Sequence, residues 1–329
     1  MPEAIRIREH GGPEVMQLEQ FDPGLPGDGQ VQVRHTAIGL NFIDVYDRTG
    51  LYPMTLPGGL GREAAGVVTA FGRCVANFQV GDRVAYVHTE PGAYCDLRNI
   101  VATRLVKLPD SIGDEQAAAM MLKGLTAQYL LRRTYRVKRG DWILVHAAAG
   151  GVGLILCQWA RALGAKVIGV VGSDEKASLA RRNGCQHAIV YGDDSVSVRV
   201  RQITEGAGVS VVYDSVGQDT FMESLDCLRP LGMMVSYGNA SGPPPAISPL
   251  ELSKRGSLFL TRPSLFAYIA SREDLDASAN ELFAAISSGK VKVQVRQRYP
   301  LSDAAQAHRD LEARLTTGST VLLPSAALL

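Results

Sequence analysis

The stretch Trp142-Ile143-Leu144-Val145-His146-Ala147-Ala148-Ala149-Gly150-Gly151-Val152-Gly153, continuing into Leu154 to Leu163, decides how this chain is read. A short β-rich run enters a string of small residues, and helical spacing resumes at Leu154. Ala148, Gly150 and Gly153 fall on the three small positions of a G-x-G-x-x-G spacing, with alanine in place of the first glycine. That spacing has a physical reason. The middle position must be bare for backbone to approach a pyrophosphate, and the last must be small for helix and strand to pack closely. The helix start adds unpaired N–H donors and a partial positive charge. A glycine triplet alone reads equally well as a flexible turn. A strand before it, a helix after it and a second strand ending at Val171 make a βαβ unit, and that context favours dinucleotide binding.

Outward from this stretch, apolar β-rich runs alternate with helical ones: Lys166 to Val171, His187 to Tyr191, Val209 to Tyr213, Met233 to Tyr237 and Ser257 to Leu260. This is the pattern of a parallel α/β sheet. Upstream, Val31 to Arg34, Ala65 to Ala70, Arg83 to Tyr86 and Ala93 to Cys95 are short runs punctuated by Gly, Pro and Asp, which predicts an irregular all-β domain. Glu115 to Arg132 reads as one or two helices joining the two regions. Beyond Pro263 the spacing predicts a helix over Asp274 to Ile286, a strand over Val291 to Arg296, a helix from Ser302 to Thr316 and a last strand at Val321 to Leu323. This tail is expected to return to the first domain.

At 329 residues the chain exceeds the size of a single hydrophobic core, so two domains are expected. Net charge is +1 with acids and bases interspersed, which gives no electrostatic case for nucleic acid or a membrane surface as main partner. The five cysteines, Cys74, Cys95, Cys157, Cys185 and Cys227, never form a CxxC pair and are read as reduced thiols. No basic-then-apolar leader and no long apolar span is seen, so a cytoplasmic location is expected. The six histidines (His10, His35, His88, His146, His187, His308) show neither metal spacing nor a serine partner and are read as structural.

The tip of the second strand reads Gly172-Ser173-Asp174-Glu175-Lys176. An acid there would bind the ribose hydroxyls of NAD(H), whereas Gly172 and Ser173 leave room for a 2′-phosphate that Lys176 can pair with. A shift of register would bring Asp174 or Glu175 to the tip instead, and both readings stand at this point.

Two further segments, Gly39-Leu40-Asn41-Phe42-Ile43-Asp44 and Gly61-Arg62-Glu63-Ala64-Ala65-Gly66, together with the glycine loop, resemble the medium-chain dehydrogenase/reductase superfamily. Gly11 to Val15, Gly50 to Pro53, Lys123 to Thr126, Tyr213 to Gly217 and Thr261 to Leu265 extend the resemblance over nearly the whole chain. They narrow it to the bacterial zeta-crystallin-like NADPH:quinone oxidoreductases. In the zinc alcohol dehydrogenases of that superfamily a cysteine and a histidine stand at the positions of Asn41 and Arg62, and a four-cysteine lobe holds a second zinc. Here Cys95 is alone, so no metal is expected and alcohol dehydrogenation loses its Lewis acid.

The resemblance implies a GroES-like, barrel-like catalytic domain over 1–123 and 262–329, a Rossmann domain over 124–261, and NADPH in the cleft between them. It implies that Lys176, Tyr191 and Arg314 hold the 2′-phosphate. Other implied cofactor contacts are Asn41, Lys123, Thr126, Tyr129, Gly150, Gly151, Val152, Gly153, Gly172, Ser173, Ser215, Gly238, Asn239, Phe259, Leu260 and Thr261; Tyr129 and Phe259 read equally well as core. A quinone is implied near Asn41, Tyr46, Tyr52 and Arg262, with Asn41 orienting amide or carbonyl groups and Tyr52 or Arg262 donating to the developing oxyanion. Tyr46 and Tyr52 are equally readable as plugs of the domain interface. The resemblance also implies a homodimer, with Ser257 to Leu260 as an edge strand.

With no flavin motif or nucleophile constellation, the nicotinamide must carry the reducing equivalents. An activated carbon–carbon double bond in an enone, alkenal or enoyl thioester is the alternative acceptor. A non-enzymatic alternative, an NADPH-sensitive RNA-binding or crystallin-like protein, is opposed by the neutral charge and the lack of an aromatic-basic cluster.

Overall fold

The eleven residues Gln30–Leu40 alternate buried and less buried side chains as far as Thr36 and are wholly buried from Ala37 onward. That is the signature of a strand lying on a core and then entering it. It is the central strand of the first of two compact units in the computed structural model, which describes residues 1–192 and 195–325. The first unit comprises Met1–Leu125, Ile269–Phe283 and Val293–Leu329; the second comprises Thr126–Tyr268 and Ala284–Lys292. Residues 326–329 at the end of the expected catalytic domain lie outside the described residues.

In the first unit, β1 (Glu3–Ile7) lies between β2 (Gln17–Gln20) and β4 (Gly58–Gly59), and α1 (Phe42–Thr49) follows β3 (Gln30–Leu40). Strand β3 pairs antiparallel with β5 (Glu63–Phe71), which pairs with β6 (Arg83–Val87). Strand β7 (Leu97–Val101) adds to β3, and β8 (Leu105–Lys107) adds to β6. Helices α2 (Asp114–Ala118) and α3 (Met121–Tyr129) follow, α3 running on into a π-helical turn over Leu130–Thr134.

Ala93 to Cys95, expected as a strand, makes only an isolated bridge from Cys95 to Ala4. The backbone of Ala93 and Tyr94 bonds to the Gly61 and Leu60 carbonyls, and the bulky Tyr94 ring is pulled into the core with Ile5, Ile7, Ile38 and Leu60.

The second unit is a six-stranded parallel sheet. Its strands are β9 (Trp142–Val145), β10 (Lys166–Val171), β11 (His187–Val190), β12 (Val209–Asp214), β13 (Leu228–Ser236) and β14 (Phe259–Thr261), in the order β11-β10-β9-β12-β13-β14. This is the doubly wound order in which ligands bind where the strand order reverses, at the C-terminal ends of β9 and β12. Helices α4 (Gly151–Ala162), α5 (Asp174–Arg182), α6 (Val196–Ile203), α7 (Phe221–Asp226) and α8 (Pro249–Lys254) connect the strands. Valine, isoleucine and leucine fill β9, β10 and β12 because both faces of a parallel sheet are covered.

After α9 (Leu265–Tyr268) and α10 (Arg272–Ser287), β15 (Val295–Pro300), α11 (Ala304–Glu312) and β16 (Ser319–Leu323) complete the chain, and β16 pairs with β3. The expected strand at Val291 starts only at Val295, because the buried Val291 uses its N–H on the Ala285 carbonyl at the end of α10. The expected helix to Thr316 stops at Glu312, and Arg314 takes a left-handed conformation (φ 61°).

Candidate functional site

In the second unit, the small residues between β9 and α4 meet their steric demands. A Cβ on Gly153 would overlap the Ala147 carbonyl oxygen and lie 2.8 Å from Ala148 Cα, so this position lets the helix close onto the strand. Gly150 is the N-cap of α4, and a Cβ on it would meet only the Ala147 oxygen, at 3.2 Å. The first-turn N–H groups of a twelve-residue helix thus follow a loop of small residues whose N-cap glycine leaves them approachable. Ala147 is left-handed (φ 49°), a conformation that costs an L-residue roughly 1–2 kcal/mol.

The register at the tip of β10 is settled by the helix that follows. Strand β10 ends at Val171, Ser173 is the N-cap of α5 with its hydroxyl accepting from the Lys176 N–H at 3.3 Å, and Asp174 and Glu175 lie exposed in the first helical turn. No acid occupies the tip. A Cβ on Gly172 would meet no atom within 4 Å, so there is open room at the position where a carboxylate would otherwise stand. Tyr191 follows β11, donates its N–H to the Val171 carbonyl at 2.7 Å and leaves its ring 46% exposed.

Beyond β12, a residue not picked out from sequence fixes the loop. Asp214 is fully buried and accepts from the Val216 N–H (2.8 Å), the Gly217 N–H (3.1 Å), Thr220 (2.8 Å) and Ser224 (3.1 Å), which sets the backbone of Ser215 to Gly217. Ser224 also lies 2.9 Å from His146 Nε2, so this histidine does have a serine partner, contrary to expectation. The serine hydroxyl points to the carboxylate, not the histidine, and all three groups are buried, so the trio is a structural lock on the loop. Burial lowers the His146 pKa from its usual range.

Gly238 has no room for a side chain, since Ser215 Cα would lie 2.8 Å from its Cβ. Arg262 Nη1 donates to the Ser236 carbonyl at 3.0 Å, and Asn239, oriented to satisfy both neighbours, accepts from Arg262 Nη2 at 3.2 Å. Thr126 is buried on α3. Tyr129 is core, its ring stacked on Tyr268 with centroids 4.3 Å apart, whereas Phe259 and Leu260 stand exposed on the edge strand β14 beside Thr261.

In the first unit, Asn41 is the N-cap of α1, and its backbone N–H bonds to the Asp44 carboxylate at 2.8 Å. One and a half turns into that helix, Tyr46 packs its ring edge-on against Tyr52 at 5.3 Å. Arg62, at the position of the family's histidine ligand, forms a buried bidentate ion pair with Asp47, both contacts at 2.7 Å, and also donates to the Thr89 carbonyl. Among the described residues no three His, Cys, Asp or Glu side chains are grouped for a metal. Glu63 is completely buried and gathers Asn41 and Lys123 around one carboxylate, a pairing that sequence reasoning missed.

A second buried network runs behind α1. Arg48 holds Glu312 through two contacts, at 2.8 and 2.9 Å, and donates to His308 Nδ1 at 3.0 Å. The guanidinium has no acceptor, so the neutral imidazole carries its proton on Nε2 and donates to Tyr94, whose hydroxyl donates to Asp44 at 2.9 Å. Burial pushes His308 down to about 3 and, with Asp47 nearby, pushes Asp44 up to about 7. Arg314 lies exposed just past α11. Asn41, Tyr46, Tyr52, Lys123 and Arg314 thus belong to the first unit, and Arg262, Lys176, Tyr191 and the glycine loop to the second.

Two family models match the chain: the alcohol dehydrogenase GroES-like domain over residues 27–138 and the zinc-binding dehydrogenase over 151–285. A quinone oxidoreductase of Pseudomonas aeruginosa is 53% identical over 325 residues, covering 98% of this chain and 100% of the relative. A 2-haloacrylate reductase of a Burkholderia species is 47% identical over 330 residues, with 98% and 99% coverage. The crystal structure of an Escherichia coli quinone oxidoreductase complexed with NADPH superposes with a TM-score of 0.96 at 51% identity, covering 98% of this chain and all of that one.

Proposed function

The chain belongs to the quinone oxidoreductase family of the medium-chain dehydrogenase/reductases, and from that premise we propose that it reduces quinones with NADPH, without metal or flavin. The carrying observation is the nucleotide half-site: a loop of small residues before α4, bare at Gly150, and an open tip at Gly172 that no acid occupies. Bound NADPH supplies the hydride from its nicotinamide ring, so the protein needs only to bind, orient and shield it.

Gly150, Gly151, Val152 and Gly153 offer the pyrophosphate N–H donors at the start of α4. Ser215, Gly238, Asn239, Thr126 and Thr261 are assigned to the rest of the cofactor, with Phe259 and Leu260 at its margin. Lys176, Tyr191 and Arg314 are assigned to the 2′-phosphate: two cations and a phenol match a dianion. Tyr46, Tyr52 and Arg262 are assigned to the quinone, where a well-aimed donor to the developing oxyanion is worth about 3 kcal/mol. Tyr129, stacked in the core, acts through packing. The catalytic and nucleotide domains are assigned to 1–123 with 262–329 and to 124–261, although Arg262 to Tyr268 and Ala284–Lys292 group with the second compact unit; limited proteolysis tests the division through the fragments it releases.

The deciding experiment is kcat/KM for 1,4-naphthoquinone with NADPH and with NADH, with and without a chelator. A strong NADPH preference indifferent to chelator is expected. Tight NADPH binding with negligible quinone turnover would move the substrate to activated alkenes, a second reading favoured by the 47% identity to a 2-haloacrylate reductase. We also propose a cytoplasmic homodimer formed through the exposed edge of β14, which light scattering checks against the 35.3 kDa chain. No helix among the described residues is long and apolar enough to cross a membrane.

A further inference from the structure

Glu63 opens β5 with its carboxylate wholly buried. Its Oε1 accepts from Asn41 Nδ2 at 2.8 Å and from Lys123 Nζ at 3.0 Å, and its Oε2 accepts from the Leu122 N–H at 2.6 Å. The space it fills is reserved for it. Gly39 stands opposite on β3, and a Cβ there would overlap both Glu63 Oε1 and the Ala118 carbonyl oxygen.

A carboxylate only accepts, and an amide nitrogen only donates. Glu63 therefore fixes which way round the Asn41 side chain sits: the N–H2 end is turned inward onto the carboxylate. The amide oxygen, which has two lone pairs, is the end left for a ligand, since the Asp44 N–H bonds to the Asn41 backbone carbonyl at 3.1 Å.

We propose that Glu63 is a positioning residue of the reductase site, holding Asn41 so that its carbonyl oxygen receives a hydrogen-bond donor on the nicotinamide half of NADPH. The inference rests on the NADPH reading above and deepens it. The donor is the carboxamide N–H2 or a ribose hydroxyl. Asn41 so held does not orient a quinone carbonyl, which is itself an acceptor; in this cluster the donor to an acceptor is Lys123, whose ammonium has three N–H groups and spends one on Glu63.

The test is NADPH affinity, followed by fluorescence, in wild type, Glu63→Gln, Asn41→Asp and the double variant. A glutamine at 63 cannot accept from both Leu122 and Asn41. With its oxygen on Leu122, its N–H2 faces Asn41 and reverses that amide, so affinity is expected to fall about tenfold, equivalent to about 1.4 kcal/mol. In the double variant, the new aspartate accepts from the glutamine and offers its other oxygen outward, and affinity returns to within about threefold of wild type. Unchanged affinity in Glu63→Gln, or no recovery in the double variant, overturns the proposal.

Should Glu63→Gln not fold, Asn41→Asp decides alone. The carboxyl introduced at 41 faces the Glu63 carboxylate, a like charge that favours its protonated form, with the Lys123 ammonium beside them. With wild type measured at each pH, because Asp44 beside Asn41 is itself raised to about 7, variant binding is expected to match wild type at pH 6 and to be lost relative to it at pH 9. Equal loss at both values overturns the proposal. The 3-acetylpyridine analogue of NADPH, which lacks the carboxamide N–H2, separates the two donors: selective weakening in wild type but not in Glu63→Gln assigns the carboxamide, and equal binding assigns the ribose hydroxyl. Failure of wild type to bind NADPH at all would remove the functional reading itself; binding with no response to these substitutions removes only the role of Glu63.

Discussion

Around Gly150 and Gly153 the chain prepares for a ligand by leaving side chains out, whereas around Glu63 it does so by burying charges against each other. The first device relies on sterics and backbone dipoles, contributed by residues within one turn of each other. The second relies on exact-valence matching of donors to acceptors, in which each removed partner leaves another charge stranded. The nucleotide loop should therefore fail in binding, while the first unit should fail in folding as well.

The largest effect is expected for Arg62→Ala. It strands Asp47, which has no exposed side-chain surface, and breaking such a pair typically costs about 3–5 kcal/mol. Urea unfolding of the variant checks this, and a loss below about 1 kcal/mol would erase the distinction between the two regions. Next comes Gly153→Ala, whose methyl must displace the Ala147 carbonyl. Overpacking of this kind costs about 1–3 kcal/mol, seen as weakened NADPH binding with the first unit's unfolding unchanged. Lys176→Ala should raise KM for NADPH about tenfold, with KM for NADH unmoved, since one ion pair to a phosphate is lost. Equal effects on both cofactors would return Lys176 to the solvent-facing first turn of α5.

The smallest shift in Tm is the one that tests the buried network by pH. Asp44 is held up at about 7, first by burial and then by Asp47, against 3.8 for a free carboxyl. Its contribution to stability is thus complete below pH 3.8 and lost as pH rises through 7. His308, held down at about 3 by burial, and His35, at about 4, run the other way, losing stability as pH falls below 6.5. Asp44→Asn removes the alkaline loss alone. Relative to wild type, its Tm should rise by about 2–4 °C between pH 5 and pH 8. A difference that stays flat would mean that Asp44 is ionised throughout.

Much of this was legible beforehand. The six strands of the second unit and the helix after the glycines follow from local periodicity and residue type. Three readings were not. The Ala93 to Cys95 run looks like a strand, but Tyr94 is worth more in the core than on a ladder. His146 found Ser224 only because β9 and α7 are brought together by the sheet. The register of Asp174 and Glu175 needed the N-cap at Ser173, whose hydroxyl fixes where α5 begins.

A dinucleotide loop between a strand and a helix is visible in the chain before it folds, because the small residues and the 2.0 and 3.6 residue periods that define it are neighbours along it. Only the tertiary structure decided what Asn41, Lys123 and Arg48 do. Their partners lie 22, 60 and 264 residues away, at Glu63, Glu63 and Glu312, and no local pattern encodes contacts between elements that meet only in the folded chain.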